Sequence, residues 1–170
     1  MQLFFDPSIS ETSEHISFNK DESRHIVKVL RKKEGDTLYI TNGSGWLFIS
    51  SIIQANIKNC LASIIRKEKK PALANKVHLA VAPTKLNDRY EWFLEKATEI
   101  GVTEITPIIC SKSERKIIKH ERYLKIVQAA MKQSLQCYLP KLNNQISFND
   151  FLLNENEGQN LSPIVMIVKS

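Results

Sequence analysis

Residues 77–110, VHLAVAPTKLNDRYEWFLEKATEIGVTEITPIIC, decide the fold of the second half of the chain. They open on a nearly continuous apolar run, Val77–Ala82, which is typical of a parallel strand covered on both faces. The pattern then predicts a helix over about residues 88–100. A second apolar run, Ile105–Cys110, completes a strand–helix–strand unit. This alternation indicates an α/β fold with parallel strand pairing.

Local signals set the predicted ends of the helices. Asn87 is expected to cap the first of them and Gly101 to stop it, with an inward face formed by Phe93, Ala97 and Ile100. A long helix is predicted over His120–Tyr138, with an inward face formed by Leu124, Val127, Met131 and Leu135. Ser147 and Asp150 can cap a short last helix, and Pro163–Val168 is predicted as a third strand.

The first 67 residues show a different pattern, which predicts a small β-barrel of short strands with one helix. The predicted strands are Leu3–Phe5, Thr37–Thr41, Trp46–Ile53 and Cys60–Arg66, with a hairpin turn at Asn42–Gly45. Asn19 and Glu22 favour a capped helix start, followed by an apolar stripe at Ile26, Val29 and Leu30. The charged segment Lys67–Asn75 is expected to be a linker, which divides the chain into domains 1–70 and 71–170.

The chain is basic, with 24 Lys and Arg against 18 Asp and Glu and a net charge of +6. This charge favours an anionic partner, nucleic acid before a membrane surface, although a solvated basic surface without a partner explains it equally well. No stretch approaches the roughly 18–20 apolar residues of a membrane span, and the first residues lack a signal-peptide pattern. We therefore expect a cytoplasmic protein. The cysteines at 60, 110 and 137 are expected to be buried thiols, and no metal site is predicted.

Two groups of polar residues are candidates for function. Lys85 and Arg89 follow the first α/β strand, and Ser113–Lys116 follow the second. Both groups therefore fall at the carboxyl edge of the sheet, where ligands gather in open α/β folds. In the first domain, His25 and Arg31 lie near the ends of the helix, where long side chains can reach phosphate. A hydrogen-bonded structural histidine at 25, and a solvated charge run over 31–33, remain open alternatives.

The stretch T-K-L-N-D-R-Y-E-W-F-L-E-K-A-T-E-I-G-V-T-E-I-T-P, followed by S-K-S-E-R-K and A-A-M-K-Q-S, resembles the ribosomal RNA small subunit methyltransferase E family. The resemblance rests on polar residues that helix periodicity does not require: Lys85, Lys96, Glu99, Ser113, Arg115 and Gln133. The alternative interpretation for Lys96 and Glu99 is an exposed ion pair. Lys132 and Gln136 depart from the family, which typically has Glu and Arg there.

The resemblance implies an enzyme that methylates N3 of a uridine in small-subunit rRNA, with S-adenosylmethionine as donor. It implies a PUA-like β-barrel followed by a SPOUT-type α/β domain with a trefoil knot, and a homodimer when complete. On these grounds the expected RNA-binding residues are His25, Arg31, Lys85, Arg89, Arg115, Lys116 and Gln133.

The resemblance covers nearly all of residues 1–158. Family members continue with a Gly-Pro-Glu-Gly-Gly-like loop and an I-L-R-x-E-T-A-like segment, which form the knot and hold the cofactor. Neither motif occurs in these 170 residues, so we expect an incomplete SPOUT-type domain that is inactive alone. Residues 160–170 do not match the family's K-F-I-A-H-C-like strand, but their back-translation yields that motif in the neighbouring frame. We hypothesise a frameshift near codon 159, which the gene's nucleotide sequence tests.

Two other functional classes remain open on the sequence. The chain can be an RNA-binding module without catalysis, or a small structural subunit whose open sheet needs a partner. Cofactor binding distinguishes an enzyme from an RNA-binding module, and salt-dependent RNA binding distinguishes both from a structural subunit.

Overall fold

The computed structural model describes residues 1–72, 74–111, 113, 115–157 and 164–168, with side chains up to residue 153. The chain divides into two compact units, Met1–Ala72 and Leu73–Ser170.

The first unit is a mixed half-barrel. In chain order its strands are β1 (Leu3–Phe5), β2 (His15–Ser17), β3 (Thr37–Thr41), β4 (Trp46–Gln54) and β5 (Leu61–Lys69). The sheet order is β1-β3-β4-β5-β2, with β1 parallel to β3 and the other pairs antiparallel. Over residues 1–72, β1 and β2 are the two edge strands of this sheet, so the sheet is open. The predicted barrel is therefore a half-barrel. The predicted hairpin joins β3 to β4, and its two glycines, Gly43 and Gly45, both adopt positive φ angles.

Two features of this sheet differ from the sequence prediction. Strand β2 was missed because Ile16 is its only apolar residue, yet Ile16 is buried where β2 pairs with β5. Strand β5 continues to Lys69, although its charged end was predicted to be a linker. Pairing with β4 keeps this end extended, and the Lys69 ammonium lies 5.1 Å from the Trp46 ring centre, a cation–π contact.

The first helix changes its winding in the middle. Helix α1 (Lys20–Arg24) is capped as predicted, since the Glu22 backbone N–H donates to Asn19 Oδ1 at 2.9 Å. It continues as a π-helical turn over His25–Val29. There a backbone N–H donates to the carbonyl five residues back instead of four, as Leu30 does to His25. The wider turn rotates the inward stripe. Ile26 is fully buried as predicted, but Val29 is 64% exposed, so its predicted inward position is wrong.

The second unit is an α/β layer with a parallel sheet, as predicted. Its elements are β6 (Val77–Val81), α2 (Asn87–Glu99), β7 (Glu104–Ile109), α3 (His120–Gln133), β8 (Lys141–Leu142), β9 (Ile146–Ser147), α4 (Phe148–Glu157) and β10 (Ile164–Val168). The order is β10-β6-β7-β8, with β9 also pairing with β7, and every pair is parallel. Ser147 caps α4 as predicted, since its hydroxyl accepts from the Asp150 backbone N–H.

Strand β6 is buried on both faces, as its apolar run indicated. Leu79 and Val81 belong to the core formed with α2 and α3. Ala80 belongs to a smaller core with Ile108 and Phe151, the latter from α4.

Three predicted helix boundaries need correction. Leu86 is the N-cap of α2, and Asn87 is its first helical residue without a capping side-chain bond. Ile100 is 79% exposed rather than inward, because the helix ends at Glu99 and Gly101 turns the chain with a φ of 90°. Helix α3 ends at Gln133 rather than Tyr138, and Leu135 is exposed rather than inward.

The end of α3 explains this last difference. Leu135 adopts a φ of 59°, and its N–H donates to the Lys132 carbonyl. The Gln136 N–H donates to the Met131 carbonyl, which completes a Schellman motif. The left-handed position in this motif normally carries glycine, since a side chain there costs roughly 1–2 kcal/mol. The sequence offers no glycine at 135 to mark this end.

We expect Leu135→Gly to give a protein about 1 kcal/mol more stable than Leu135→Ala. Both substitutions remove the same partly exposed side chain, but only glycine relieves the left-handed backbone. Urea unfolding of the two variants measures the difference. Equal stability, or a more stable alanine variant, would show that residue 135 carries no strain.

Cys60 and Cys137 are buried as predicted, whereas Cys110 is only partly buried, which corrects the prediction for Cys110. Burial raises the pKa of the Cys60 thiol. Among the described residues, no helix is long and apolar enough to cross a membrane. The frameshift hypothesis concerns residues 159–170, of which the structure describes only the backbone of β10.

Candidate nucleic-acid interface

In the first unit, His25 and Arg31 lie at the two ends of the π-helical turn. His25 is half-buried; its Nε2 lies 2.9 Å from the Gln2 amide nitrogen, and its ring packs edge-on against Phe4. His25 therefore has a polar and an aromatic contact within the first unit. Arg31 is exposed and has a φ of 55°, which ends the turn. A left-handed arginine places a charged side chain where glycine would be the unstrained choice.

Arg31 begins a basic rim on this unit. A cleft of about 520 Å³ lies beside it, lined by Val27, Arg31, Lys32, Lys33, Glu34 and Ala55. Three of the six lining side chains are cationic and one is anionic, so the cleft attracts anions.

In the second unit, the loops that follow β6 and β7 meet, as the sequence predicted for the carboxyl edge of the sheet. Arg115 connects the two loops. Its Nε donates to the Thr84 carbonyl at 3.2 Å, and its Nη2 donates to the Lys85 carbonyl at 2.7 Å. Lys85, Arg89 and Lys116 are exposed around this junction. Four cationic side chains are thus carried by two joined loops and the first turn of α2.

The positive charge of Arg115 also acts on the buried contact between α2 and α3. Tyr123 of α3 packs on Tyr90 of α2, with ring centres 5.1 Å apart. Burial raises the pKa of the Tyr123 hydroxyl, while the positive charge of Arg115 acts in the opposite direction. The Arg122 side chain adds a second link between the helices through its ion pair with Glu91, at 2.6 Å.

Gln133 lies elsewhere. Helix α3 spans 14 residues, so its last residue is roughly 20 Å along the helix from its first. Gln133 is exposed in the last turn of α3 and is therefore not brought to the Arg115 junction. The predicted pair Lys96 and Glu99 is also near a helix end, in the last turn of α2, with Nζ and Oε2 2.9 Å apart. The hydrogen bonds that the Lys96 ammonium donates to Glu99 and Glu95 raise the pKa of Lys96.

Sequence reasoning missed the role of Gln136. Its side-chain nitrogen donates to the carbonyls of Thr98 and Glu99, at 2.9 and 2.7 Å. It therefore satisfies carbonyls that have no partner within α2. The sequence marked this position because Gln136 stands where the family typically has Arg. It could not reveal the contact, which joins the ends of two helices that are 37 residues apart in the sequence. Among the described residues, no group of three His, Cys, Asp or Glu side chains is placed to hold a metal ion.

Two domain families match this chain. An RNA methyltransferase domain matches residues 71–167, and an RNA methyltransferase PUA domain matches residues 18–65. The chain belongs to the RNA methyltransferase family. It is similar to the ribosomal RNA small subunit methyltransferases E of Rickettsia conorii, at 30% identity, and Buchnera aphidicola from Acyrthosiphon pisum, at 32% identity. The resemblance predicted from the sequence is therefore confirmed.

These relatives are longer. The alignments cover 91% and 90% of this chain but only 63% and 62% of the two relatives, respectively. Solved structures agree in fold. A crystal structure from Porphyromonas gingivalis, described as a probable rRNA-methyltransferase, has 38% identity and a TM-score of 0.77, over 89% of this chain and 63% of its own. A Legionella pneumophila protein solved with the bound cofactor SAM has 25% identity and a TM-score of 0.79, over 92% of this chain and 66% of its own.

Proposed function

We propose that this protein methylates N3 of a uridine in small-subunit rRNA, with S-adenosylmethionine as the methyl donor. The observation that carries the proposal is the basic junction at the carboxyl edge of a parallel sheet, in a chain of the RNA methyltransferase family. There Arg115 joins two loops, and Lys85, Arg89 and Lys116 are exposed beside it. The names and the bound cofactor of the relatives support the substrate and the donor.

We propose RNA-binding residues on each unit separately. They are His25 and Arg31 on the first, and Lys85, Arg89, Arg115, Lys116 and Gln133 on the second. Cationic side chains neutralise phosphates and give affinity without sequence preference. The net charge of +6 supports an anionic partner. We further propose that the complete enzyme is a homodimer with a SPOUT-type knot and works in the cytoplasm on the RNA or the assembled small subunit.

The residues at the basic edge also suit the reaction electrostatically. A uridine N3–H must lose its proton before or during methylation, which leaves negative charge on the base. Positive side chains near the base stabilise that charge. Lys85, Arg89 and Arg115 are the groups that can provide this field. No side chain is assigned as the general base.

The cleft at the carboxyl edge of the sheet does not favour S-adenosylmethionine. The cleft beside the end of β7 measures about 570 Å³ and is lined by Ile109, Cys110, Ser111, Lys116, Ser147, Phe148 and Asn149. Its charged lining residue is a lysine, which repels a positively charged sulfonium, and none of its lining residues is a carboxylate. This mismatch favours a second candidate function for residues 1–170 alone, RNA binding without catalysis.

Loss of a single RNA modification tests the proposed function. If the gene is read through into the complete enzyme, its disruption should abolish methylation at one uridine of small-subunit rRNA, detected as loss of a reverse-transcription stop, because an N3-methyl group blocks base pairing. The purified 170-residue chain should show no calorimetric binding of S-adenosylmethionine and no methyl transfer. An unchanged rRNA in the disrupted strain would overturn the methyltransferase proposal. Turnover by the purified chain would overturn the conclusion that these residues lack the cofactor site.

A further inference from the structure

The Arg115 side chain points to the main chain of another loop. Its guanidinium donates two hydrogen bonds, to the carbonyls of Thr84 and Lys85, 31 and 30 residues away. These carbonyls follow the last residue of β6, where the sheet no longer provides partners for them. A planar guanidinium can reach two adjacent carbonyls at once, whereas a lysine ammonium is a single point of charge on a flexible stem.

The segment that carries Arg115 is itself held on both sides. Before it, the Ser113 hydroxyl accepts from the Cys110 backbone N–H at 2.9 Å, and the Ser113 N–H donates to the Cys110 carbonyl. After it, the Gln145 side chain donates to the Lys116 carbonyl at 3.0 Å and accepts from the Ile118 N–H at 2.9 Å. The guanidinium therefore extends from an anchored segment towards the loop after β6.

The loop after β6 also has a side-chain hydrogen bond of its own. The Thr84 hydroxyl donates to the Leu86 carbonyl at 2.7 Å, which closes the loop on itself but does not tie it to another element. Lys85 and Leu86 are exposed, so burial of their side chains contributes little to holding the loop. The contacts from Arg115 connect this loop to the segment that follows β7.

We infer that Arg115 is a positioning residue, which fixes the loop after β6 and so presents Lys85 to the RNA. This inference rests on the proposed function and goes beyond it, since it assigns the guanidinium to the protein's own loop rather than to a phosphate. Lys85 then makes the RNA contact, and Arg115 acts through it.

Loop order in the absence of RNA tests the positioning directly. Backbone ¹⁵N order parameters of Thr84, Lys85 and Leu86 should fall from about 0.8 to below about 0.6 in Arg115→Lys and in Arg115→Ala. Lys116→Ala is the matched control: it removes one positive charge from the next residue and should leave these order parameters unchanged. Unchanged order in Arg115→Lys and Arg115→Ala overturns the inference, whether or not the protein binds RNA.

RNA affinity tests the route through Lys85. Arg115→Lys keeps the charge, yet we expect it to weaken binding about fivefold, as much as Lys85→Ala does. The double variant Lys85→Ala/Arg115→Lys should bind no more weakly than Lys85→Ala alone. Full affinity in Arg115→Lys would show that Arg115 contributes only its charge. Additive losses in the double variant would show that Arg115 acts on RNA independently of Lys85. Either result overturns the route through Lys85. If the unaltered chain binds no RNA, the proposed RNA-binding surface fails, and the order parameters still decide the positioning.

Discussion

RNA affinity of this chain is expected to fall roughly 100-fold when salt rises from about 50 to about 200 mM. The estimate assumes about five phosphate contacts, each of which releases bound counterions. The contacts are expected from both units, with exposed Arg31 and Lys33 in the first and exposed Lys85, Arg89 and Lys116 in the second. Fluorescence anisotropy of a labelled small-subunit rRNA fragment, titrated at several salt concentrations, measures the affinity and its slope.

Single substitutions identify which side chains contribute to the salt dependence of RNA affinity. Arg31→Ala and Arg89→Ala should each weaken binding by on the order of 1 kcal/mol and reduce the salt slope by about one contact. Lys96→Ala is the control, because its ammonium is already paired with Glu95 and Glu99. A flat salt dependence, with both arginine substitutions silent, would remove the RNA-binding proposal for this chain.

Tyr90→Ala is expected to destabilise the second unit by about 3–5 kcal/mol, the usual cost of deleting a buried aromatic ring. Tyr90 is 1% exposed, its ring packs on Tyr123 and Phe93, and its hydroxyl donates to the Val81 carbonyl at 3.2 Å. Such a loss is a large share of the roughly 5–15 kcal/mol that stabilises a typical domain. Hydrogen exchange should show faster opening of β6, α2 and β7, and unchanged protection of β3–β5.

A neighbouring residue supplies the matched control. Trp92 lies on the same helix but is 63% exposed, so Trp92→Ala should change stability by less than about 0.5 kcal/mol. Tyr90→Phe isolates the hydroxyl and should cost about 1 kcal/mol at neutral pH. Comparable losses in Trp92→Ala and Tyr90→Ala would contradict the described core.

The pH dependence adds a second signature of the same residue. Burial raises the pKa of the Tyr90 hydroxyl, so the folded unit keeps a proton that the unfolded chain releases above about pH 10. The stabilisation from this proton is complete below that pH and is lost as pH rises beyond it. Tyr90→Phe should reduce the alkaline loss of stability, and Tyr123, whose pKa is also raised by burial, accounts for part of what remains.

Much of the fold was predictable because its signals are local. The apolar run of β6, the helix after it and the hairpin at Gly43 and Gly45 each follow from the spacing of apolar residues and from turn chemistry. The basic carboxyl edge was predictable for a related reason: parallel strands end on the same side, so the loops after β6 and β7 had to meet. The family resemblance depended on polar residues that periodicity did not require.

Other features depended on contacts between distant residues. Periodicity places the apolar face of a helix but not its end, and α3 ends at Gln133 although the apolar spacing continues to Leu135. The inward stripe of the first helix moves off Val29 because a π-helical turn intervenes. In both places, hydrogen bonds to carbonyls five or six residues back replace the regular helical bonds.

The sequence by itself thus determined the two kinds of unit and the order of most elements, because these depend on the spacing of residues over short stretches. It also determined the net charge that favours RNA, because charge depends only on the composition of the whole chain. Only the tertiary structure decided that Arg115 bonds to Thr84 and Lys85, and that Gln136 caps α2. Backbone carbonyls at strand and helix ends must find donors, and packing alone decides which distant side chain is near enough to supply them.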